Sequence, residues 1–401
     1  MLSSPQPLLR ELEHALPERP FAVRLWDGST LPATNGGGPT FEVRSPDALA
    51  HALLSPGQLG LSRAYVSGAL DIDDLDAVLE VLAEWQPPAI ERREQAKLAL
   101  AAARAFGLRR PPHVPRAELR LSGRRHTPER DARAVRHHYD VSNEFFKLFL
   151  GEDMTYSCAI FSRGAKTLEE AQETKLELVC TKLDLREGQR VLDVGCGWGS
   201  FAMHAAERHG VRVVGITLSE PQAELARERV AERGLSDKVE IRVQDYRETD
   251  DGPFDAVSSI GMVEHVGSNQ IDVYARQLAR LVKPGGRVLN HGIARLRVGE
   301  PEAGAFTQRY VFPDGAPLHL SRIQSAIERA GLETHHVEDF RNDYAETLRH
   351  WARRFDDNLD EAIRLGGAER ARVWRLYLRG ARRGFETGFT SIYQVRCSRP
   401  T

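Results

Sequence analysis

Nowhere in the 401 residues do about 18 apolar side chains run together, the length a membrane-spanning helix needs. Any membrane contact is therefore expected to be peripheral. Met1 to Arg10 lacks the apolar core of a signal peptide. Cysteine is scarce. Cys158, Cys180, Cys196 and Cys397 have no paired metal-ligand spacing, so no metal is expected. They suit a reducing cytoplasm better than a disulfide scaffold. Neither sign of charge dominates. A formal net charge of −2 excludes a generic polyanion binder, and no nucleic-acid partner is expected. Internal repeats and low-complexity tracts are also missing.

What is present divides along the chain. The length favours two domains, and 41% hydrophobic residues suffice for ordinary buried cores. Residues 1–105 mix strand-like pieces such as Phe21 to Leu25 with turns such as Trp26-Asp27-Gly28-Ser29. This part reads as a small α+β domain. Residues 106–132 form a basic, proline-broken linker. Its arginines and histidines are either a solvated strip or a contact for anionic lipid headgroups. From residue 133 to 401, strand and helix patterns alternate. Strands are expected at Arg190 to Val194, Arg212 to Ile216, Val239 to Val243, Ala256 to Ile260 and Arg287 to Asn290. Lys283-Pro284-Gly285-Gly286 reads as the turn before the fifth. Asp343 to Arg383 reads as helical, and Ser391 to Arg396 as a late strand. This is the doubly wound α/β pattern.

The most informative run is Val191-Leu192-Asp193-Val194-Gly195-Cys196-Gly197-Trp198-Gly199. It reads as a buried strand, a glycine turn and then a helix. Glycine lets such a turn bend tightly and lets a ligand lie against bare backbone. The spacing Gly-x-Gly-x-Gly differs from the dinucleotide fingerprint Gly-x-Gly-x-x-Gly. It suits a nucleoside carrying an amino acid and no pyrophosphate, a description S-adenosylmethionine fits. An NAD site would need the other spacing and a ribose acid after the second strand. Two further loops fall at the same sheet edge. Gly215-Ile216-Thr217-Leu218-Ser219 with Gln222 offers a hydroxyl and an amide for ribose, although Thr217 and Ser219 also suit helix capping. In Gln244-Asp245-Tyr246-Arg247, Asp245 suits an adenine amino group and Tyr246 its face.

Eight motifs together resemble the cyclopropane-fatty-acyl-phospholipid synthase family. They are His138-Tyr139-Asp140…Asn143, Met154 to Ala159, the glycine turn, Gly215 to Ser219, Asp245 to Arg247, Ser259 to Gly267, Arg309 to Pro313, and Asp343-Tyr344…Thr347-Leu348…Trp351. The match covers about residues 133–401, in the same order. The resemblance implies a class I S-adenosylmethionine-dependent methyltransferase with a Rossmann-like doubly wound sheet and an acyl-chain tunnel. The smaller N-terminal domain is similar to that of phospholipid-acting members and would serve lipid docking. Arg124 and Arg125 are placed in the same role.

The implied chemistry is methyl transfer to the cis double bond of an unsaturated acyl chain. The resulting carbocation must lose a proton before water traps it, so a base is needed within reach. Family members hold bicarbonate as that base. The matching positions are Cys158, Glu264, His291, Ile293 (through its backbone) and Tyr344. Cofactor contacts are expected at Tyr156, Ser157, Asp193, Gly195, Gly197, Thr217, Ser219, Gln222, Asp245 and Tyr246. Each residue alone has an ordinary reading: a buried thiol, a helix-start acid, a core histidine, a core aromatic. The aromatic run Phe145 to Phe149 reads either as a tunnel wall or as core.

Two products follow from one cation. Proton loss from the transferred carbon closes a cyclopropane. A hydride shift before proton loss leaves a methylene, which a separate reductase partner converts to a 10-methyl fatty acid. Glu144 stands where several ring-forming members carry Asp, which leaves the second route open. A third reading is an acyl-chain-binding protein with an inactive fold, and the intact Cys158, Glu264, His291 and Tyr344 set argues against it. The substrate is expected to be unsaturated phospholipid in the membrane surface. The protein is then expected in the cytoplasm, peripherally held at the inner membrane face. Relatives often form homodimers, but the sequence marks no dimer surface.

Overall fold

Short strands flanked by turn residues dominate the start of the chain. They are β1 (Ala22–Arg24), β2 (Thr30–Leu31), β3 (Thr40–Val43) and β4 (Leu70–Ile72). They pair in the order β2-β1-β3-β4, with β1 and β3 parallel and the other pairs antiparallel. Gly28 turns the chain between β1 and β2 at φ +85°, while the Asp27 carboxylate accepts the Ser29 N–H at 3.0 Å. Leu25, Leu31, Val43 and Leu70 from this sheet bury against Leu8 and Leu9 of helix Gln6–Ala15 and Ala101 and Ala105 of helix Arg92–Phe106. Asp74 opens the helix Leu75–Glu84 by accepting the N–H groups of Asp76 and Ala77.

The computed structural model describes residues 5–107, 109–121, 123, 125–127, 129–131, 133–134, 141–299 and 304–401. The chain divides into two units. The first comprises residues 1–119, 304–310 and 367–380, so two later segments group with the N-terminal residues. The second comprises residues 120–303, 311–366 and 381–401. His138, Tyr139, Asp140 and Arg124, singled out from the sequence, lie outside the described residues.

The second unit holds β5 (Arg190–Val194), β6 (Arg212–Thr217), β7 (Val239–Val243), β8 (Phe254–Ile260), β9 (Val282–Arg295), β10 (Glu333–Asp339) and β11 (Thr390–Ser398). Their order is β10-β11-β9-β8-β5-β6-β7. β5 to β9 run parallel, while β11 pairs antiparallel with β9 and β10 antiparallel with β11. Alternate strand residues serve opposite faces. Val191, Val213, Ile241 and Ala256 pack under the helices Leu168–Leu183, Ser200–His209 and Glu220–Glu232. Leu192, Val214, Val257 and Val288 pack under Ile271–Leu281 and Leu320–Arg329 on the other face. Both faces are buried, as a parallel sheet requires. Strand order reverses between β5 and β8, which places the ligand crevice beyond their carboxyl ends.

The five expected α/β strands are all present, with two differences. β9 runs straight through Lys283-Pro284-Gly285-Gly286, because the Gly285 N–H donates to the Arg399 carbonyl and the Arg399 N–H to the Gly286 carbonyl. β10 had no counterpart in the sequence reading. Its polar run Glu-Thr-His-His-Val-Glu-Asp sits at the sheet edge with no fully buried residue. All four cysteines are free and buried. Among the described residues, no helix is long and apolar enough to cross a membrane.

Candidate active site

Four loops at the carboxyl ends of β5, β6, β7 and β8 enclose one cavity in the second unit. The glycine turn forms its floor. Gly195, Gly197 and Gly199 all have positive φ (81°, 55° and 79°), which side chains other than glycine adopt at a cost. The N–H groups of Gly195 and Cys196 both donate to the Ile216 carbonyl at 2.9 Å, tying this turn to β6. A Cβ at Gly195 would stand 2.5 Å from Met262 Cγ, whereas one at Gly197 would meet nothing within 4 Å. The first glycine permits packing; the second leaves the cavity open.

Asp193 ends β5 in this cavity, 2% exposed, and accepts the Ser258 hydroxyl at 2.9 Å. Burial pushes its carboxyl up to about 7. Thr217 and Gln222 line the cavity and bond each other, the Thr217 hydroxyl donating to Gln222 Oε1 at 2.9 Å. Ser219 does not line it. Its hydroxyl accepts the Gln222 N–H and caps the helix Glu220–Glu232, which is the capping alternative of the sequence reading. Asp245 and Tyr246 line the cavity after β7. The Asp245 carboxylate is engaged by Arg247, whose guanidinium also reaches Asp131 at 3.0 Å. Tyr156 and Ser157 close the other wall. Nine of the ten expected cofactor contacts therefore converge here.

The five candidates for the base site lie outside this cavity and group behind it. The Cys158 thiol is buried, 3.8 Å from the Phe340 carbonyl, and burial pushes its pKa well up. The Tyr344 N–H donates to that same carbonyl at 3.0 Å, and the Tyr344 ring packs 4.6 Å from Phe385. His291 sits in β9 with its ring 6.1 Å from the Phe340 ring. Glu264 is buried, and its carboxyl receives the backbone N–H groups of Glu264 itself and of Ile293. Desolvation outweighs these donors and pushes its pKa up to about 7. The group adjoins the cavity at two joints: Ser157 is followed directly by Cys158, and the Gly261 N–H donates to the His291 carbonyl at 2.8 Å.

Two atoms test whether this group fits a small oxyanion. Glu264 Oε2 and His291 Nε2 are buried without a hydrogen-bond partner among the described residues. Burial holds His291 neutral. Gln394 gives its Oε1 to the Lys182 ammonium at 2.6 Å, so its NH₂ faces His291 Nδ1 at 3.3 Å. Nδ1 is then the acceptor, and Nε2 carries the proton. An unpartnered N–H donor and an unpartnered carboxyl oxygen suit a group that accepts and donates hydrogen bonds. Bicarbonate has that character.

The aromatic helix Asn143–Leu150 behaves as core. Phe145, Phe146 and Phe149 are fully buried and do not line the cavity, and Phe146 packs at a tilt against two residues that do, Trp198 (5.1 Å) and Tyr156 (5.7 Å). The sequence reading missed Lys175, His265, Trp198 and Met262, all on the cavity wall. His265 directly follows Glu264 and could have been inferred with it. Lys175 carried no signal, since it sits in a charged helix that reads as solvated. Cysteine spacing also missed a cluster: Cys180, His204 and His209 bring donor atoms within 4.8 Å of one another. Glu177 Oε2 lies 3.2 Å from both histidine Nε2 atoms and satisfies them.

The family model for mycolic acid cyclopropane synthetase matches residues 126–395. The chain belongs to this family. It is 39% identical over 399 residues to a probable fatty acid methyltransferase of Mycobacterium tuberculosis, covering 96% of this chain and 92% of that one. It is 33% identical to the cyclopropane-fatty-acyl-phospholipid synthase of Escherichia coli K12, covering 92% of this chain and 90% of that one. Among solved structures, mycolic acid cyclopropane synthase CmaA1 complexed with SAH and CTAB superposes with TM-score 0.64 at 33% identity. It covers 67% of this chain and 98% of its own. Membership makes the chain an S-adenosylmethionine-dependent methyltransferase with a Rossmann-like fold, as expected from its motifs.

Proposed function

We propose that this protein methylates the cis double bond of an unsaturated acyl chain esterified in phospholipid and closes a cyclopropane there. One observation carries the reading: a cavity of donor-binding type adjoins a buried cluster in which His291 Nε2 and Glu264 Oε2 have no hydrogen-bond partner among the described residues. A methyltransferase acting on a soluble amine or hydroxyl has no need of that cluster.

S-adenosylmethionine, when bound, supplies an electrophilic methyl on a sulfonium. The alkene π electrons form the new C–C bond as the S–C bond breaks, which leaves a cation on the acyl chain. The protein's contribution is orientation and dryness. The glycine turn, Asp193, Thr217 and Asp245 hold the donor against the sheet edge. Tyr156, backed by Phe146 and Trp351, gives the methyl an apolar surround. Cys158, Glu264, His291, the Ile293 backbone and Tyr344 would hold bicarbonate, which supplies a base. The His291 Nε2–H orients an oxygen there, and the Glu264 carboxyl, neutral below about 7, avoids repelling an anion. Proton loss from the transferred carbon then closes the ring.

A second reading ends the same cation in a 10-methylene chain, which implies a reductase partner. The relative at 39% identity is named a fatty acid methyltransferase, a name that specifies no ring, whereas the phospholipid synthase stands at 33%. Lipids from a host making the protein decide the matter. Acyl chains should gain one CH₂ and resist catalytic hydrogenation if the ring forms. A CH₂ gain that takes up hydrogen means the methylene route, and no gain overturns both. The docking role of the N-terminal residues and Arg125, and residence at the inner membrane face, belong to the same proposal. Bicarbonate-depleted buffer should slow turnover, with recovery on its return.

A further inference from the structure

A lysine on the cavity wall has no part in the chemistry so far described. Lys175, on the helix Leu168–Leu183, is 1% exposed. Its ammonium donates to Ser157 Oγ at 3.0 Å. Among the described residues its other two N–H bonds have no acceptor and no carboxylate forms an ion pair with it, although Asp193 acts on it through charge. The same helix holds the strip that carries Ser157, because Gln172 Nε2 donates to the carbonyls of Thr155 (3.2 Å) and Ser157 (2.9 Å). Lys175 is thus fixed in place, and burial depresses its pKa to about 8. A buried ammonium left this way is costly unless a ligand completes it.

Asp193 lines the same cavity, equally buried, with Ser258 as its hydrogen-bond donor. Apart from Arg247 with Asp131 and Asp245, which bond one another, the lining thus places Lys175 and Asp193 as a cation and an acid that feel each other's charge but share no hydrogen bond among the described residues. An α-amino acid carries the complementary pattern of carboxylate and ammonium. We infer that Lys175, together with Ser157, binds the α-carboxylate of the donor's methionine end, while Asp193 faces its α-ammonium. The inference rests on the reading that this cavity is the donor site. It assigns Lys175 a role in selecting the donor by its amino-acid end, beyond the nucleoside contacts of the other loops.

Calorimetric titration of the purified full chain with three probes tests it. The probes are S-adenosylhomocysteine, its decarboxylated analogue and 5′-methylthioadenosine. The unaltered protein should bind S-adenosylhomocysteine about 10- to 100-fold more tightly than the decarboxylated analogue, the span of a charge-assisted hydrogen-bond pair. That comparison needs no variant. Lys175→Met should abolish the preference and leave 5′-methylthioadenosine affinity within about twofold. Equal binding of the first two probes by the unaltered protein overturns the assignment. So does a Lys175→Met protein that weakens all three probes alike, which would mark a purely structural lysine. Failure of every probe to bind the unaltered protein sinks the donor-site reading itself.

Discussion

Replacing Gly195 or Gly197 by alanine separates two costs that the glycine turn combines. Both residues have positive φ (81° and 55°), so either alanine carries left-handed strain of about 1–2 kcal/mol. Only the Gly195 methyl meets protein, 2.5 Å from Met262 Cγ. Pushing that side chain aside adds about 1–2 kcal/mol of overpacking. Gly195→Ala should therefore destabilise by about 2–4 kcal/mol and Gly197→Ala by about half as much. Scanning calorimetry of the transition belonging to the second unit reads the difference. A double-mutant cycle of Gly195→Ala with Met262→Ala should return a favourable coupling of about 1–2 kcal/mol. Ligand binding should rank the other way. The Gly197 methyl meets no protein atom within 4 Å, and Gly197 lines the cavity proposed for the donor. S-adenosylhomocysteine affinity should fall by at least about tenfold in Gly197→Ala. Equal destabilisation by the two alanines with no coupling to Met262 would refute the packing argument. Unchanged affinity in Gly197→Ala would refute close backbone approach.

Glu264→Gln should reduce turnover about 10-fold or more, the size of a lost hydrogen bond to a charged group, because the carboxyl that helps hold the bicarbonate is gone. Its stability should behave differently. The Glu264 pKa is raised from 4.5 to about 7, so the folded state holds the proton longer than the unfolded state. Wild-type stability therefore falls as pH rises from about 4.5 to about 7 and stays reduced above it, by about 3 kcal/mol at most from this group. The melting temperature of Glu264→Gln should gain on wild type across that window; parallel curves would contradict the burial argument. Arg130 and Asp314, both under 10% exposed, form a two-bonded pair with Arg130 NH2 to Asp314 Oδ1 at 2.9 Å. Asp314→Ala should cost about 3–5 kcal/mol, whereas the double change Arg130→Met with Asp314→Asn, a residue that tolerates the φ of 65° at this position, should recover part of it in the same calorimetric assay. His291→Gln should reduce turnover more than it reduces S-adenosylhomocysteine affinity, because His291 lies behind the cavity; an equal loss in both would place it against the donor.

The sequence exposed the parallel core of the sheet because β5, β6 and β8 are almost continuously apolar, while β7 alternates apolar with charged residues. β10 escaped because its edge position leaves Glu333 to Asp339 polar, without apolar alternation. β9 was read short because Pro284, Gly285 and Gly286 look like a turn, and only the partner segment at Arg399 draws them into the ladder. The glycine turn, Asp193 and Thr217 were legible as neighbours because they lie next to strand ends, and the structure brings them to one cavity. Cys158, Glu264, His291 and Tyr344 span nearly half the chain, and spacing alone would not have joined them; resemblance did. What resemblance did not supply was the proton position on His291, which depends on Lys182 claiming one end of the Gln394 amide. Lys175 was illegible for a plainer reason. A lysine among Glu173, Thr174 and Glu177 looks like surface until the helix is docked.

The four thiols share a practical consequence. Cys158, Cys180, Cys196 and Cys397 are each 8% exposed or less, and none is disulfide-bonded. An alkylating reagent can reach them only when the surrounding segment opens, so labelling rates become clocks for local breathing. Cys158 would time the opening of the strip before helix Leu168–Leu183, and Cys397 the fraying of the last strand. Four reporters are thus built into the chain at no cost in engineered probes.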